Sequence, residues 1–167
     1  MYVHVCRHAE AEQRSVTGRD IDRPLSREGR LQARYLASQF GQASHDELPR
    51  LVLASPAVRT MQTAQAIADE LGLPVTPLEE LLPCVEPRAT IAALDMGAHG
   101  SPMVLVGHNP LVSSLVSMLL HGPRSGERMT SIHMRTGQMA TIGFPDWMLP
   151  GTGQLVDMRR YEPALAS

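Results

Sequence analysis

Lysine is missing from this chain: all fifteen basic residues are arginine. Genomic base composition is the ordinary cause of such a bias, but the absence has chemical consequences. No lysine Schiff base can form on the protein, and no P-loop with its phosphate-binding lysine can be written from it. Cysteine is nearly absent too. Cys6 and Cys84 are the two present, with no C-x-x-C pattern, which excludes a disulfide framework and a zinc-type cysteine site. Neither is followed by arginine at Cys-x5-Arg spacing, because Glu12 and Thr90 occupy those places, so a cysteine-based phosphate chemistry is excluded as well. Aromatic residues make up only 4%, and the formal net charge is −2, so no global field draws the chain to nucleic acid or to an anionic membrane. No apolar run approaches the roughly 18 residues that a spanning helix requires. The opening Met-Tyr-Val-His-Val-Cys-Arg has neither a charged leader nor a long apolar stretch, so a cytoplasmic location is expected.

What is present suffices for one real core. At 167 residues with 43% apolar content, the chain should bury roughly 70% of the surface that its unfolded form exposes. Short β-like runs alternate with helix-period segments, the pattern of an α/β three-layer sandwich with a mostly parallel central sheet. The strands read as Tyr2 to Cys6, Leu51 to Leu53, Leu73 to Val75, Met103 to Val106, Gln138 to Phe144 and Gln154 to Arg160. Ser26 reads as the cap of a helix with Leu31, Tyr35, Leu36 and Phe40 on one face. Ser55-Pro56 reads as a cap with proline at the first helical position, and Gly72 closes that helix. Pro87 to Met96 forms another helix, and Asn109-Pro110 opens a last one with Leu111, Val112, Leu115, Val116 and Leu119 as its stripe. Gly122 to Ser131 reads as loop, and nothing in residues 1–167 suggests a second domain.

Ligands of open parallel sheets bind just beyond the carboxyl ends of the strands, where helix N-termini point their positive ends. Three such ends carry charge or imidazole: Arg7-His8, Ser55-Pro56-Ala57-Val58-Arg59, and Gly107-His108-Asn109-Pro110. Arginine offers a planar fork of donors suited to phosphate oxygens. A neutral imidazole is a good nucleophile near pH 7 once its second nitrogen is held in one tautomer. Each piece alone is an ordinary surface or capping feature. Together they ask for phosphoryl transfer through a phosphohistidine.

The order and spacing of these segments resemble the histidine phosphatase superfamily, the phosphoglycerate-mutase-like proteins. Arg7-His8-Ala9-Glu10 resembles the family's Arg-His-Gly/Ala opening, with Ala9 for the commoner glycine, and Arg23-Pro24-Leu25-Ser26-Arg27-Glu28-Gly29 resembles its Pro-Leu-Thr/Ser-x-x-Gly helix start. Ser55-Pro56 with Arg59 and Gln62-Thr63-Ala64 resembles its Ser-Pro-x-x-Arg-x-x-Gln-Thr-Ala block, and Gly107-His108-Asn109-Pro110 its second-histidine motif. Glu80-Leu81-Leu82-Pro83-Cys84 and the short chain resemble the small bacterial phosphohistidine phosphatases of the SixA type. The resemblance implies His8 as the phosphorylated nucleophile, with Arg7, Arg59 and His108 as catalytic residues that hold the phosphoryl oxygens. It implies a histidine-containing phosphotransfer protein as partner and substrate, and neither a metal nor another cofactor.

Relatives that cleave phosphate esters use a carboxylic acid after the second helix; Glu79 and Glu80 are the pair in that region, and Glu80, which matches better by position, is the candidate proton donor. An ester leaving group needs that proton, whereas the imidazole of phosphohistidine can take its proton from solvent. Only 30 residues, 73 to 102, separate Gly72 from the strand at Met103, too few for a helical lid insertion. An open site suits a phosphorylated side chain on a protein surface better than a free sugar phosphate. The alternatives are a phosphatase of small phosphate esters using Glu80, or a non-catalytic phosphate- or phosphoprotein-binding module. The Ala9 to Pro24 segment, with Glu10, Glu12, Arg14, Arg19, Asp20, Asp22 and Arg23, could contact a partner. Asp20-Ile21-Asp22 does not follow a buried strand and is rejected as an Asp-x-Asp nucleophile. His4 and His8 lack a carboxylate ligand set for a metal, and His45, His99, His121 and His133 read as solvated.

Overall fold

Side chains alternate in direction along each strand, so the continuous apolar runs divide between two faces of one sheet. The computed structural model describes residues 1–42, 48–97, 100–123 and 132–162. His45, His99 and residues 124–131 of the expected loop lie outside these described residues. The elements run β1 (Tyr2–Arg7), α1 (Arg27–Ser38), β2 (Leu51–Ala54), α2 (Val58–Leu71), β3 (Val75–Pro77), α3 (Pro87–Gly97), β4 (Met103–Gly107), α4 (Leu111–His121), β5 (Gln138–Gly143) and β6 (Gln154–Arg160). Sheet order is β3-β2-β4-β1-β5-β6. The first four are mutually parallel, while β5 and β6 are antiparallel to their neighbours. Val3, Val5, Met103, Leu105, Ala140 and Ile142 point to one side and pack with Leu94 of α3 and with Val112, Leu115, Val116 and Leu119 of α4. Cys6, Val52, Ala54, Val104, Val106 and Met139 point to the other and pack with Leu36 and Ala37 of α1 and Ala64, Ile67 and Ala68 of α2. The result is the expected three-layer α/β/α sandwich.

Local chemistry moves several boundaries. The buried face of α1 is Gly29, Ala33, Leu36 and Ala37, and Leu31 faces solvent. Small residues win there because the helix lies against the chain after β1: a Cβ at Gly29 would stand 1.9 Å from the Glu10 carbonyl oxygen. Ser26 caps α1 as expected, its hydroxyl accepting from the Gly29 amide. α2 begins later than Ser55-Pro56 suggests, with Ala57 at the cap position, because the Ser55 side chain is engaged elsewhere. At its far end Gly72 adopts φ 66°, and the amides of Gly72 and Leu73 both reach the Ala68 carbonyl. Leu73 is thus consumed by the helix end, and β3 starts at Val75, two residues later than the apolar run predicts. At α4 Pro110 itself occupies the cap position, after a cis Asn109–Pro110 bond, and Asn109 is released from capping.

Strand register then sets the site. Arg7 pairs with Gly107 and Ala54 with Val106, so β1, β2 and β4 end at one level. The ladder continues one residue further, with the His8 amide donating to the Gly107 carbonyl (3.0 Å) and the Ser55 amide to the Val106 carbonyl (3.0 Å). Helices change faces between α2 and α3, the arrangement that opens a crevice at strand carboxyl ends.

Candidate active site

His8 sits in the turn after β1, buried, with its backbone carbonyl accepting from the Gly137 amide (3.0 Å). Its Nδ1 lies 2.7 Å from the Ala9 carbonyl oxygen. A carbonyl can only accept, so Nδ1 carries the proton and Nε2 keeps its lone pair. Ala9 is itself fully buried, and its amide donates to the Thr63 hydroxyl of α2 (3.1 Å), which in turn donates to the Arg59 carbonyl (2.7 Å). No described non-glycine residue has positive φ, so alanine after the histidine carries no left-handed strain.

His108 leaves β4 beside it, the two rings 5.0 Å apart between centroids and inclined at 61°. Arg59 Nη2 approaches His108 Nδ1 at 3.3 Å, and guanidinium only donates. Hence Nε2 bears the proton and donates to the Ser55 hydroxyl at 3.0 Å. This is the duty that removes Ser55 from capping α2. Burial pushes His8 down to about 4, assisted by the charges of Arg59, Arg7 and Arg23. Burial, then His8 and Arg59, push His108 down to about 3. Both imidazoles are therefore neutral in the free site at pH 7. A protonated His108 requires the arrival of an anion.

Arg59 is buried in the first turn of α2, its Nη1 donating to the Asp20 carbonyl (2.6 Å) and its Nη2 to Asp20 Oδ2 (2.9 Å). Asp20 Oδ1 also takes Arg23 Nη1 at 2.8 Å. These arginines hold the Asp20 carboxyl below the usual range, Arg23 contributing most. Arg7 donates from Nη1 to the Met134 carbonyl at 3.0 Å, and its Nε is buried with no partner among the described residues. A buried donor left unsatisfied is costly, and an oxygen of an incoming anion is the natural acceptor.

The structure thus brings His8, Arg7, Arg59 and His108 together. Glu80 lies in a 3-10 turn (Glu79–Leu81) packed over the end of β4, where a Cβ at Gly107 would meet the Leu81 carbonyl at 3.3 Å. Its own carbonyl accepts from the Thr90 hydroxyl (2.6 Å). His4 is remote from this group, with Nδ1 3.0 Å from the Thr141 hydroxyl and its ring edge-on to Phe40. Among the described residues no cluster of three or more His, Cys, Asp or Glu could hold a metal ion, and no helix is long and apolar enough to cross a membrane. His121 and His133 are exposed, as expected. Two features escape a reading of motifs: Asp20, whose spacing to Arg23 ahead of Pro-Leu-Ser is the one trace it leaves, and the Asn109–Ser113 pair.

Residues 3–82 match the model of the histidine phosphatase superfamily (branch 1). Over 126 residues, 73% of this chain and 76% of the relative, the sequence is 35% identical to the phosphohistidine phosphatase SixA of Escherichia coli K12. The chain belongs to the histidine phosphatase superfamily. It is similar in structure to a protein histidine phosphatase SixA solved with tungstate, at 30% identity and TM-score 0.72 over 96% of this chain and 97% of that one. A mycobacterial glucosyl-3-phosphoglycerate phosphatase shares the fold at 18% identity and TM-score 0.68, over 93% of this chain and 96% of that one.

Proposed function

We propose that the protein is a phosphatase that hydrolyses phosphohistidine in a histidine-containing phosphotransfer protein, through a covalent phospho-His8 intermediate. The observation that carries this reading is the tautomer lock. With Nδ1–H spent on the Ala9 carbonyl, Nε2 is the nucleophile, and it stands among Arg7, Arg59 and His108. Nε2 attacks phosphorus in line, the P–N bond to the substrate imidazole breaks, and that imidazole leaves with a proton from solvent. The equatorial oxygens meet the buried Nε of Arg7, the guanidinium of Arg59 and His108 Nδ1, which takes up a proton as the dianion arrives. Water then attacks phospho-His8 along the same line: the P–Nε2 bond breaks, Nε2 regains its lone pair, the water gives up a proton to solvent, and inorganic phosphate leaves. In this reading the arginines and His108 supply the charge neutralisation that metal ions supply in other phosphoryl-transfer enzymes.

A protein substrate is favoured by what occupies the space between β3 and β4. The described residues there form one 3-10 turn and α3, and Leu94 and Ile91 of α3 pack into the core beside α4. We infer an unlidded single-domain enzyme with an open site, working in the cytoplasm without nucleic acid or membrane. Incubation with a phosphohistidine-bearing phosphotransfer domain should place an acid-labile, base-stable phosphate on the wild type and none on His8→Ala. No label, or equal turnover by His8→Ala, would overturn the enzymatic reading in favour of a phosphate-binding module. Glu80→Gln separates the leaving groups. Ester turnover that exceeds phosphohistidine turnover and collapses in this variant would instead favour a small-ester phosphatase with Glu80 as its acid.

A further inference from the structure

We propose that Asn109 and Ser113 are positioning residues for Arg7, acting through the backbone of Met134. Residues 132–137 lie as irregular chain, outside the sheet ladder, against the residues that follow β1 and β4. Backbone groups buried in such a segment need partners from elsewhere. Met134 is fully buried, and both its backbone groups are claimed by side chains from the start of α4. Its amide donates to the Ser113 hydroxyl (3.1 Å), and its carbonyl accepts from Asn109 Nδ2 (2.8 Å). Ser113 then donates to Asn109 Oδ1 at 2.6 Å, closing a ring that leaves the asparagine one orientation.

The same Met134 carbonyl is the acceptor of Arg7 Nη1 at 3.0 Å, and among the described residues it is the one hydrogen-bond partner of that guanidinium. Three residues on, the Gly137 amide holds the His8 carbonyl. The segment therefore grips Arg7 and His8 alike, and Asn109 with Ser113 keys it to α4. Residue type fits the duty: Pro110 occupies the cap position of α4, so the Asn109 side chain is free to turn toward Met134. Arg7 Nε, buried and without a partner among the described residues, can meet a phosphoryl oxygen only if the rest of the guanidinium is held in place. In a site that works by fixed donors, a displacement of about 1 Å costs on the order of 100-fold in rate.

The test uses the full chain with Asn109→Leu, Ser113→Ala and Ser113→Thr, reading kcat, KM, inhibition by inorganic phosphate and thermal melting. Asn109→Leu should lower kcat by about 10- to 100-fold with KM changed no more than about threefold, Ser113→Ala should follow it more mildly, and Ser113→Thr, which retains the hydroxyl, should recover most of the loss. Phosphate binding should weaken in the wild-type background and show no further loss from Asn109→Leu in an Arg7→Ala background. Should Asn109→Leu fail to fold, Ser113→Ala carries the same readouts. Equal weakening of phosphate binding with and without Arg7, or a lowered melting temperature at unchanged kcat, would overturn the proposal. Because inorganic phosphate is the probe, this outcome is independent of which phosphoryl donor the enzyme hydrolyses.

Discussion

Acidification is the sharpest perturbation of this site. An imidazole with the ordinary value of 6.5 is only about 3% neutral at pH 5, whereas one held at about 4, as His8 is, remains about 90% neutral. Availability of the proposed nucleophile at pH 5 therefore differs about 30-fold between the two cases. The acid limb of kcat/KM for phospho-His8 formation should fall near pH 4 to 5 and not near 6.5. Rapid-quench measurement of phosphoenzyme formation between pH 4 and 8, alongside an NMR titration of the His8 ring, reads it directly. Burial is the largest cause of the depression, ahead of Arg59, Arg7 and Arg23, so Arg7→Gln should move the titration by less than unfolding does. The sign carries into stability. A folded value below the unfolded 6.5 means that the unfolded chain binds the proton more tightly, so stability is complete above pH 6.5 and falls as pH drops toward 4. A displacement from 6.5 to about 4 is worth ~3 kcal/mol, and bound phosphate should offset part of the loss by giving the cationic form of His108 a counter-charge. A His8 titration near 6.5 in the folded protein would refute the reasoning, because neither its burial nor its cationic neighbours would then be acting on it.

Other expectations follow from single contacts. Arg59→Ala should cut kcat by orders of magnitude while the domain stays folded, since its guanidinium faces the site with His108; a twofold loss would contradict the assigned role. Asp20→Asn keeps the shape and the backbone carbonyl that hold Arg59 but removes the competing anion, so inorganic phosphate should inhibit several-fold more strongly, and unchanged or weaker inhibition would count against that competition. Gly29→Ala places a Cβ against the Glu10 carbonyl and should destabilise the fold by at least ~2 kcal/mol in a denaturant titration.

Much of the architecture is legible in the residues because burial on both sides of a parallel sheet leaves unmistakable apolar runs, as at Met103 to Val106. Of the four proposed site residues, Arg7, His8 and His108 are legible because they end or directly follow such runs, and Arg59 because it lies in the first turn of the helix after one. What periodicity misses is decided by contacts distant in sequence. The α1 stripe is displaced toward Gly29, Ala33 and Ala37 by the close approach of Glu10, which no local pattern records. Ser55 looks like a helix cap, and only the arrival of His108 from 53 residues away shows its use. Asp20 reads as one of several loop carboxylates until Arg59 and Arg23 are found on it.

The extra rung beyond β1 and β2, His8 to Gly107 and Ser55 to Val106, ties the proposed nucleophile and the hydroxyl that holds His108 to the centre of the sheet. Those two amides should resist hydrogen exchange as long as the core strands do, since they cannot open without the strands opening. A protein built this way has no inexpensive state in which the fold persists and the proposed site dissolves; the arrangement of His8 and His108 lasts for as long as the sheet does.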